Sequence, residues 1–252
     1  WNRIALVDLL LTATRAAESR HFWFRGFRRF VRPVLAAAVP GRPSVRLLDC
    51  GCGTGANLRM LGEFGRAFGI DLNEVGVAFA RTEGARVARA DVVRLPFPDA
   101  CFDVVTSFDV IYCLDGEAER AAIAEMHRVL RPGGGLVINV AAMPILRGNH
   151  SVLSRELRRY TAGSLRERLA AARFRVAEVR YTNATLFPLL LAVRLAQRAA
   201  GLKEEGEATR EITVPPAPVN AVLTALLAAE ARLPRWARPP AGSSLLCRAT
   251  KE

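Results

Sequence analysis

Asp49, Gly51, Gly53 and Gly55 stand together in the run Leu47-Leu-Asp-Cys-Gly-Cys-Gly-Thr-Gly55. Glycine permits a tight turn here and lets a ligand approach the backbone. Asp49 ends the apolar run before the turn, where a carboxylate can face a cationic ligand. A second acid, Asp71, follows at the spacing of about 20 residues that suits ribose hydroxyls. A third, Asp91, can accept from an adenine amino group. Gly51, Gly53 and Ala56 also satisfy the dinucleotide fingerprint G-x-G-x-x-G/A, and Asp71 fits that reading equally well. Asp49, Asp91 and the run Leu130-Arg-Pro-Gly-Gly134 separate the two readings. A dehydrogenase accounts for neither Asp91 nor the Pro-Gly-Gly sequence.

These residues need elements to position them. From residue 45, short apolar runs alternate with helical periods, the pattern of βαβ units around a parallel sheet. Strands are expected at 45–50, 67–71, 86–90, 102–107 and 135–140, a sixth at 174–182 and a seventh at 244–250. A helix is expected over 117–130, stopped by Arg131-Pro-Gly-Gly134, and another over 164–172. Residues 3–20 read as an amphipathic helix, and Pro40-Gly-Arg-Pro43 breaks the chain before the core. The division expected is an N-terminal helical lid (1–40), a core (41–183), a hydrophobic helical insert (184–243) and a final core strand (244–252). Residues 201–218 of the insert read as a mobile loop.

With these motifs in place, the chain resembles the class I S-adenosylmethionine-dependent methyltransferases, within the broad bacterial group around the type 11 domain. The likeness runs over about residues 45–140. It implies a Rossmann-like α/β fold, with a seven-stranded, mostly parallel sheet and helices on both faces. It also implies S-adenosylmethionine as cofactor and S-adenosylhomocysteine as product. In the family the glycine loop holds the methionine portion, matching Asp49, Gly51, Gly53 and Gly55. The acid after the second strand holds the ribose, matching Asp71, with Leu72 beside the adenine. Asp91 and Val92 match the adenine-edge positions, and Phe108 the residue after strand four that lines the pocket.

The acceptor side is less defined. Where many relatives carry Glu-His after strand four, this chain has Tyr112-Cys113. Tyr112 reads as a pocket wall before it reads as a base, since tyrosine titrates near 10. The stretch from Asn149 to Thr161 resembles a segment of bacterial methyltransferases. His150 matches it, while Ser151 and Glu156 replace the group's Asp and second His. His150 follows the fifth strand on the ligand side and titrates near 6.5, which makes it the candidate base. A surface or capping role for it stays open. Arg158, Arg159 and Tyr160 suit either a grip on an anionic acceptor or a solvated face. His21-Phe-Trp-Phe-Arg25 suits either a lid over the cofactor or helix packing.

Residues 184–198 begin with an apolar run and continue with arginines among apolar positions. They fit an interfacial helix on an anionic membrane, a cover over a greasy acceptor, or a helix packed on the sheet. The expected reaction is methyl transfer to a small-molecule or lipid- or glycan-linked acceptor, at oxygen. The alternatives are a quinone- or lipid-type C-methyltransferase and a binding protein without catalysis.

Composition narrows the classes further. The chain has 252 residues, 51% of them hydrophobic, enough for one substantial core. Its net charge is +12, and all but Lys203 and Lys251 of the 36 basic residues are arginine. These arginines are spread along a chain poor in aromatics, which points away from nucleic acid and toward a compositional bias. Five scattered cysteines fit neither a disulfide framework nor a metal site, so no metal is expected. The opening Trp1 points to an upstream start. Neither a leader nor a membrane-spanning run is visible, so the expected location is the cytoplasm, reaching the inner face of the membrane.

Overall fold

The structure is a computed structural model that describes residues 3–148, 151, 156–199 and 213–252. Seven strands form one sheet in the order β3-β2-β1-β4-β5-β7-β6. They are β1 (Arg46–Cys50), β2 (Arg66–Asp71), β3 (Val87–Arg89), β4 (Phe102–Phe108), β5 (Leu130–Ala141), β6 (Phe174–Thr182) and β7 (Ser244–Lys251). The β1, β2, β3, β4 and β5 pairings are parallel, and β7 runs antiparallel between β5 and β6. The expected Rossmann-like α/β sheet is therefore present, with β7 as its one reversed strand.

The central strands are near-continuous apolar runs because both of their faces are covered, as parallel sheets require. One face carries α5 (Gly116–Val129) and α6 (Ala162–Ala171), whose Ile123, Met126, Leu165 and Leu169 join Leu48, Val105, Ile138 and Cys247 in a core. The other carries α2 (Phe22–Ala36), which buries Phe30, Val31, Val34 and Leu35 against Leu47, Val104 and Val137. Asp115 starts α5 by accepting from Glu117 N and Ala118 N, and Thr161 starts α6 with a capping box.

One boundary differs from the expectation. The strand begins at Leu130, directly after α5, and takes in the Pro-Gly-Gly sequence instead of following it. Leu130 pairs with Phe102 and the next pair is Gly135 with Val104, so residues 131–134 bulge from the ladder. Gly133 sits at φ +74°, and a Cβ on Gly134 would lie 2.8 Å from Arg131 O. The glycines are needed for that bulge.

At the N-terminus, α1 (Arg3–Ala17) lies against α4 (Glu74–Thr82), which follows β2, and α3 (Ala56–Leu61) follows the glycine turn. In the insert, α7 (Phe187–Ala199) and α8 (Ala217–Ala231) are described, and α8 packs on α2. The expected loop at 201–218 falls mostly outside the described residues; 213–216 lead straight into α8.

Candidate active site at the carboxyl edge of the sheet

Asp49 is the penultimate residue of β1, almost fully buried. Thr106 of β4 donates its hydroxyl to Asp49 Oδ1 at 2.7 Å, while Asp49 Oδ2 is buried without a partner. Burial, only partly offset by that hydrogen bond, pushes the carboxyl up to about 7. A buried carboxylate oxygen left unpaired is costly, and a cationic ligand at the strand end would relieve that cost.

Gly51, Gly53 and Gly55 all take positive φ, at +83°, +50° and +83°. A side chain at Gly51 would strike Val110 Cγ2 at 2.2 Å, and one at Gly55 would strike Ala80 Cβ at 2.7 Å. Helix α1 sits directly above this turn. Leu11 Cδ2 lies where a Gly53 Cβ would come within 3.4 Å of it, Thr54 donates to Glu18 at 2.6 Å, and Asn73 donates to Asp8 at 2.7 Å.

Asp71 ends β2 and braces the same turn. Its oxygens accept from Gly53 N at 2.7 Å and Asn73 N at 2.8 Å. Burial raises its carboxyl above the ordinary aspartate range against those bonds. Leu72, beside it, is an apolar side chain left 60% exposed, a platform for a flat ring. Asp91 follows β3, where Ala90 N donates to Asp71 O, and its side chain accepts from Val93 N at 3.1 Å. Val92 is buried in the core. These residues converge on one edge of three neighbouring strands, where open α/β sheets gather ligands. The unpaired Asp49 oxygen, the left-handed glycine turn and the bare Leu72 fit a cofactor with a cationic amino-acid end and a nucleoside.

Phe108 is the last residue of β4, and its ring stacks edge-on against Phe27 of α2 at 5.1 Å. Tyr112 lies in a short 3₁₀ turn, nearly buried, and burial pushes its hydroxyl well above the usual tyrosine range. It is therefore a poor base. His150 lies outside the described residues. Its neighbour Ser151 is buried and accepts from Arg159 at 3.4 Å.

Arg158, Arg159 and Tyr160, read as a grip or a solvated face, are neither. Arg159 forks onto Glu156 at 2.5 and 2.9 Å, Arg158 pairs with the buried Glu119, and Tyr160 donates to Glu119 at 2.6 Å. Their charge is spent inside the fold.

Asp109 escaped the sequence reading. It follows β4 at φ +62°, a conformation aspartate tolerates but rarely adopts. Its backbone N–H donates to Asn139 O at 3.0 Å, and its carboxylate accepts from Asn139 Nδ2 at 2.9 Å. The residue as a whole is exposed, yet protein surrounds its carboxyl closely enough for desolvation to lift it to about 7. Both observations hold together for a group on the wall of a cleft. Val110 packs where a Gly51 side chain would stand, so Asp109 borders the glycine turn.

A methyltransferase-domain family model matches residues 48–138. The chain is 40% identical over 103 residues to a bovine protein named probable tRNA methyltransferase 9B, a match covering 40% of this chain and 22% of that protein. It thus spans about a fifth of that relative's length. It is also 31% identical over 204 residues to an uncharacterised Mycobacterium bovis protein, covering 72% of this chain and 68% of that one. Among solved structures, an S-adenosylmethionine-dependent methyltransferase from Mesorhizobium loti superposes with a TM-score of 0.56 at 21% identity, over 87% of this chain and 96% of that chain.

Proposed function

The chain belongs to the class I S-adenosylmethionine-dependent methyltransferases, and from that membership we propose that it methylates a hydroxyl of a small-molecule or lipid- or glycan-linked acceptor, with Asp109 as the base. The observation that carries the acceptor half is Asp109 itself, an exposed residue whose carboxyl stands at about 7 beside the glycine turn. A hydroxyl is a weak nucleophile until its proton begins to leave, and a base matched to neutral pH assists that step. Bound S-adenosylmethionine supplies an electrophilic methyl group on a sulfonium leaving group.

The chain's residues do the rest. Asp49 holds the cofactor's amino group through its free oxygen, Asp71 the ribose hydroxyls, and Asp91 and Val92 the adenine edge, with Leu72 under the ring. Phe108 and Tyr112 wall the cleft and Asn139 orients Asp109. Helix α1 acts as a lid that keeps water from the turn. His150 is kept as the second candidate base, on its imidazole and its place in the sequence after β5.

The test is methyl transfer from radiolabelled S-adenosylmethionine into an extract of small molecules and lipids. Label in an alkali-stable, oxygen-linked product that requires Asp109 supports the reading. Carbon-linked label points to the quinone- or lipid-type C-methyltransferase. Tight cofactor binding with no turnover points to a binding protein.

A further inference from the structure

The two described helices of the insert both leave apolar residues facing outward. On α8 the exposed positions are Ala217, Pro218, Val219, Ala221, Val222, Ala225, Leu226 and Ala229, all apolar. Its buried positions are Asn220, Thr224, Leu227 and Glu230. Asn220 bridges Arg20 O and Phe22 N, and Glu230 accepts from Ala184 N and Thr185 N ahead of α7. Asn220, Glu230 and the core residue Leu227 thus dock the helix, while further apolar residues face outward. Val222 is 59% exposed.

Helix α7 turns Phe187, Leu190 and Leu191 to its half-buried side, with Leu190 against the core, and still leaves apolar residues outward. Pro188, Leu189, Ala192, Val193, Leu195, Ala196 and Ala199 are exposed, Arg194 and Gln197 bond each other on the half-buried side, and no residue is fully buried. Leu189 is 61% exposed. A water-facing helix ordinarily shows the reverse pattern. Exposed apolar helix faces of this kind mark an interaction site.

We propose that these faces seat the protein on an anionic lipid bilayer, with α7 and α8 lying in the interface. Charge selects this occupant. The two helices and their flanks, 184–199 and 213–238, hold one acidic residue, the buried Glu230, while the insert's other glutamates, Glu204, Glu205, Glu207 and Glu211, lie in the sequence between them. Arg198 and Arg232 on the insert, and Arg25 and Arg29 on α2 around the Gly26–Leu227 contact, are exposed without a carboxylate partner among the described residues. Trp236 stands 88% exposed just past α8, the residue type that settles at headgroup level. Apolar faces rimmed by arginine and tryptophan have the make-up of interfacial helices. A second copy would bring another +12 chain and the same arginine rim against this one. No described helix is long and apolar enough to cross a membrane, so the contact is peripheral. The inference stands apart from the acceptor reading.

Co-sedimentation of the full chain with vesicles tests it. With phosphatidylglycerol in phosphatidylcholine, most of the protein should pellet at low salt, and about 0.5 M salt should release it, because headgroup attraction is screened. Pure phosphatidylcholine should retain at least tenfold less. Val222→Glu with Leu226→Glu should lower anionic-vesicle binding at least tenfold while cofactor binding and thermal unfolding stay as in the wild type. If that variant misfolds, the wild-type readout decides: Trp236 emission shifts blue on anionic vesicles, and Trp236→Phe loses the shift. No pelleting at low salt overturns the proposal. So does a dimer in solution that the glutamate variant dissolves, which would make the faces a self-association surface.

Discussion

Thr106 donates its hydroxyl proton to one oxygen of Asp49 and leaves the other oxygen buried and unpaired. The fold therefore holds this carboxylate at a cost. A cost borne at a strand end beside a glycine turn is what a ligand's positive charge can offset.

Asp49→Asn should separate that cost from its use. The folded carboxyl stands at about 7, above its value of 3.8 in an unfolded chain. The folded state therefore binds the proton more tightly, and stability falls as pH rises from about 4 through 7. The neutral amide removes this loss, so at pH 8 the cofactor-free variant should be more stable by about 2 kcal/mol, order of magnitude. Its affinity for S-adenosylmethionine should drop at least tenfold, and the wild type's rise in affinity between pH 6 and 8 should flatten. Thermal melts and calorimetry across that range check both halves; an unchanged affinity would release Asp49 from the cofactor.

Asp71→Ala should weaken cofactor binding by about 1.5 to 3 kcal/mol, the worth of a charged hydrogen bond. Part of the loss comes through the turn, because Asp71 accepts from Gly53 N and Asn73 N. Asp71→Asn can accept one of those bonds and should recover part of the affinity. Calorimetry on the pair distinguishes bracing of the turn from direct contact.

The sheet and its glycine turn were legible because both are local. Period-two and buried runs mark β1 to β7, and the glycine turn needs nothing beyond Leu47 to Ala56. The acceptor side is assembled from distant pieces: Asp109 depends on Asn139, a strand away, and on a left-handed backbone that no short motif announces. The insert at 184–243 read only as hydrophobic and helical, and composition alone could not tell that Asn220, Thr224 and Glu230 turn inward. The helix does end before the Pro-Gly-Gly sequence, as read, but the pairing of Leu130 with Phe102, which makes that sequence a bulge, was not legible.

Asp8→Ala should loosen the lid. Its hydrogen bond from Asn73 is one of the ties of α1 over the glycine turn. Removing one such bond, worth about 1 kcal/mol, should speed S-adenosylmethionine dissociation about fivefold. The sheet lies apart from this contact, so thermal unfolding should move little. Stopped-flow displacement measures the rate; an unchanged rate would leave α1 as packing alone.

Asp109 and His150 compete for the role of base, and pH separates them. Asp109 sits at about 7 because protein crowds it without pairing it to a cation, so its carboxylate form fills as pH rises through 7. Turnover at saturating cofactor should climb with that ionisation and level off above about pH 8. Asp109→Asn keeps the shape and the bond to Asn139 after an amide flip, yet cannot take a proton. It should lower kcat by about 10² to 10⁴ and abolish the pH limb, with cofactor affinity near the wild type. His150→Ala should then cost little and keep the limb. If His150→Ala removes it and Asp109→Asn does not, the base is the histidine. Asn139→Leu offers the control for positioning: losing the donor to Asp109 should raise the apparent pKa of the limb, because a bond that favours the carboxylate is gone. A limb that stays in place in Asn139→Leu would detach Asp109 from the rate and leave its raised pKa a by-product of burial.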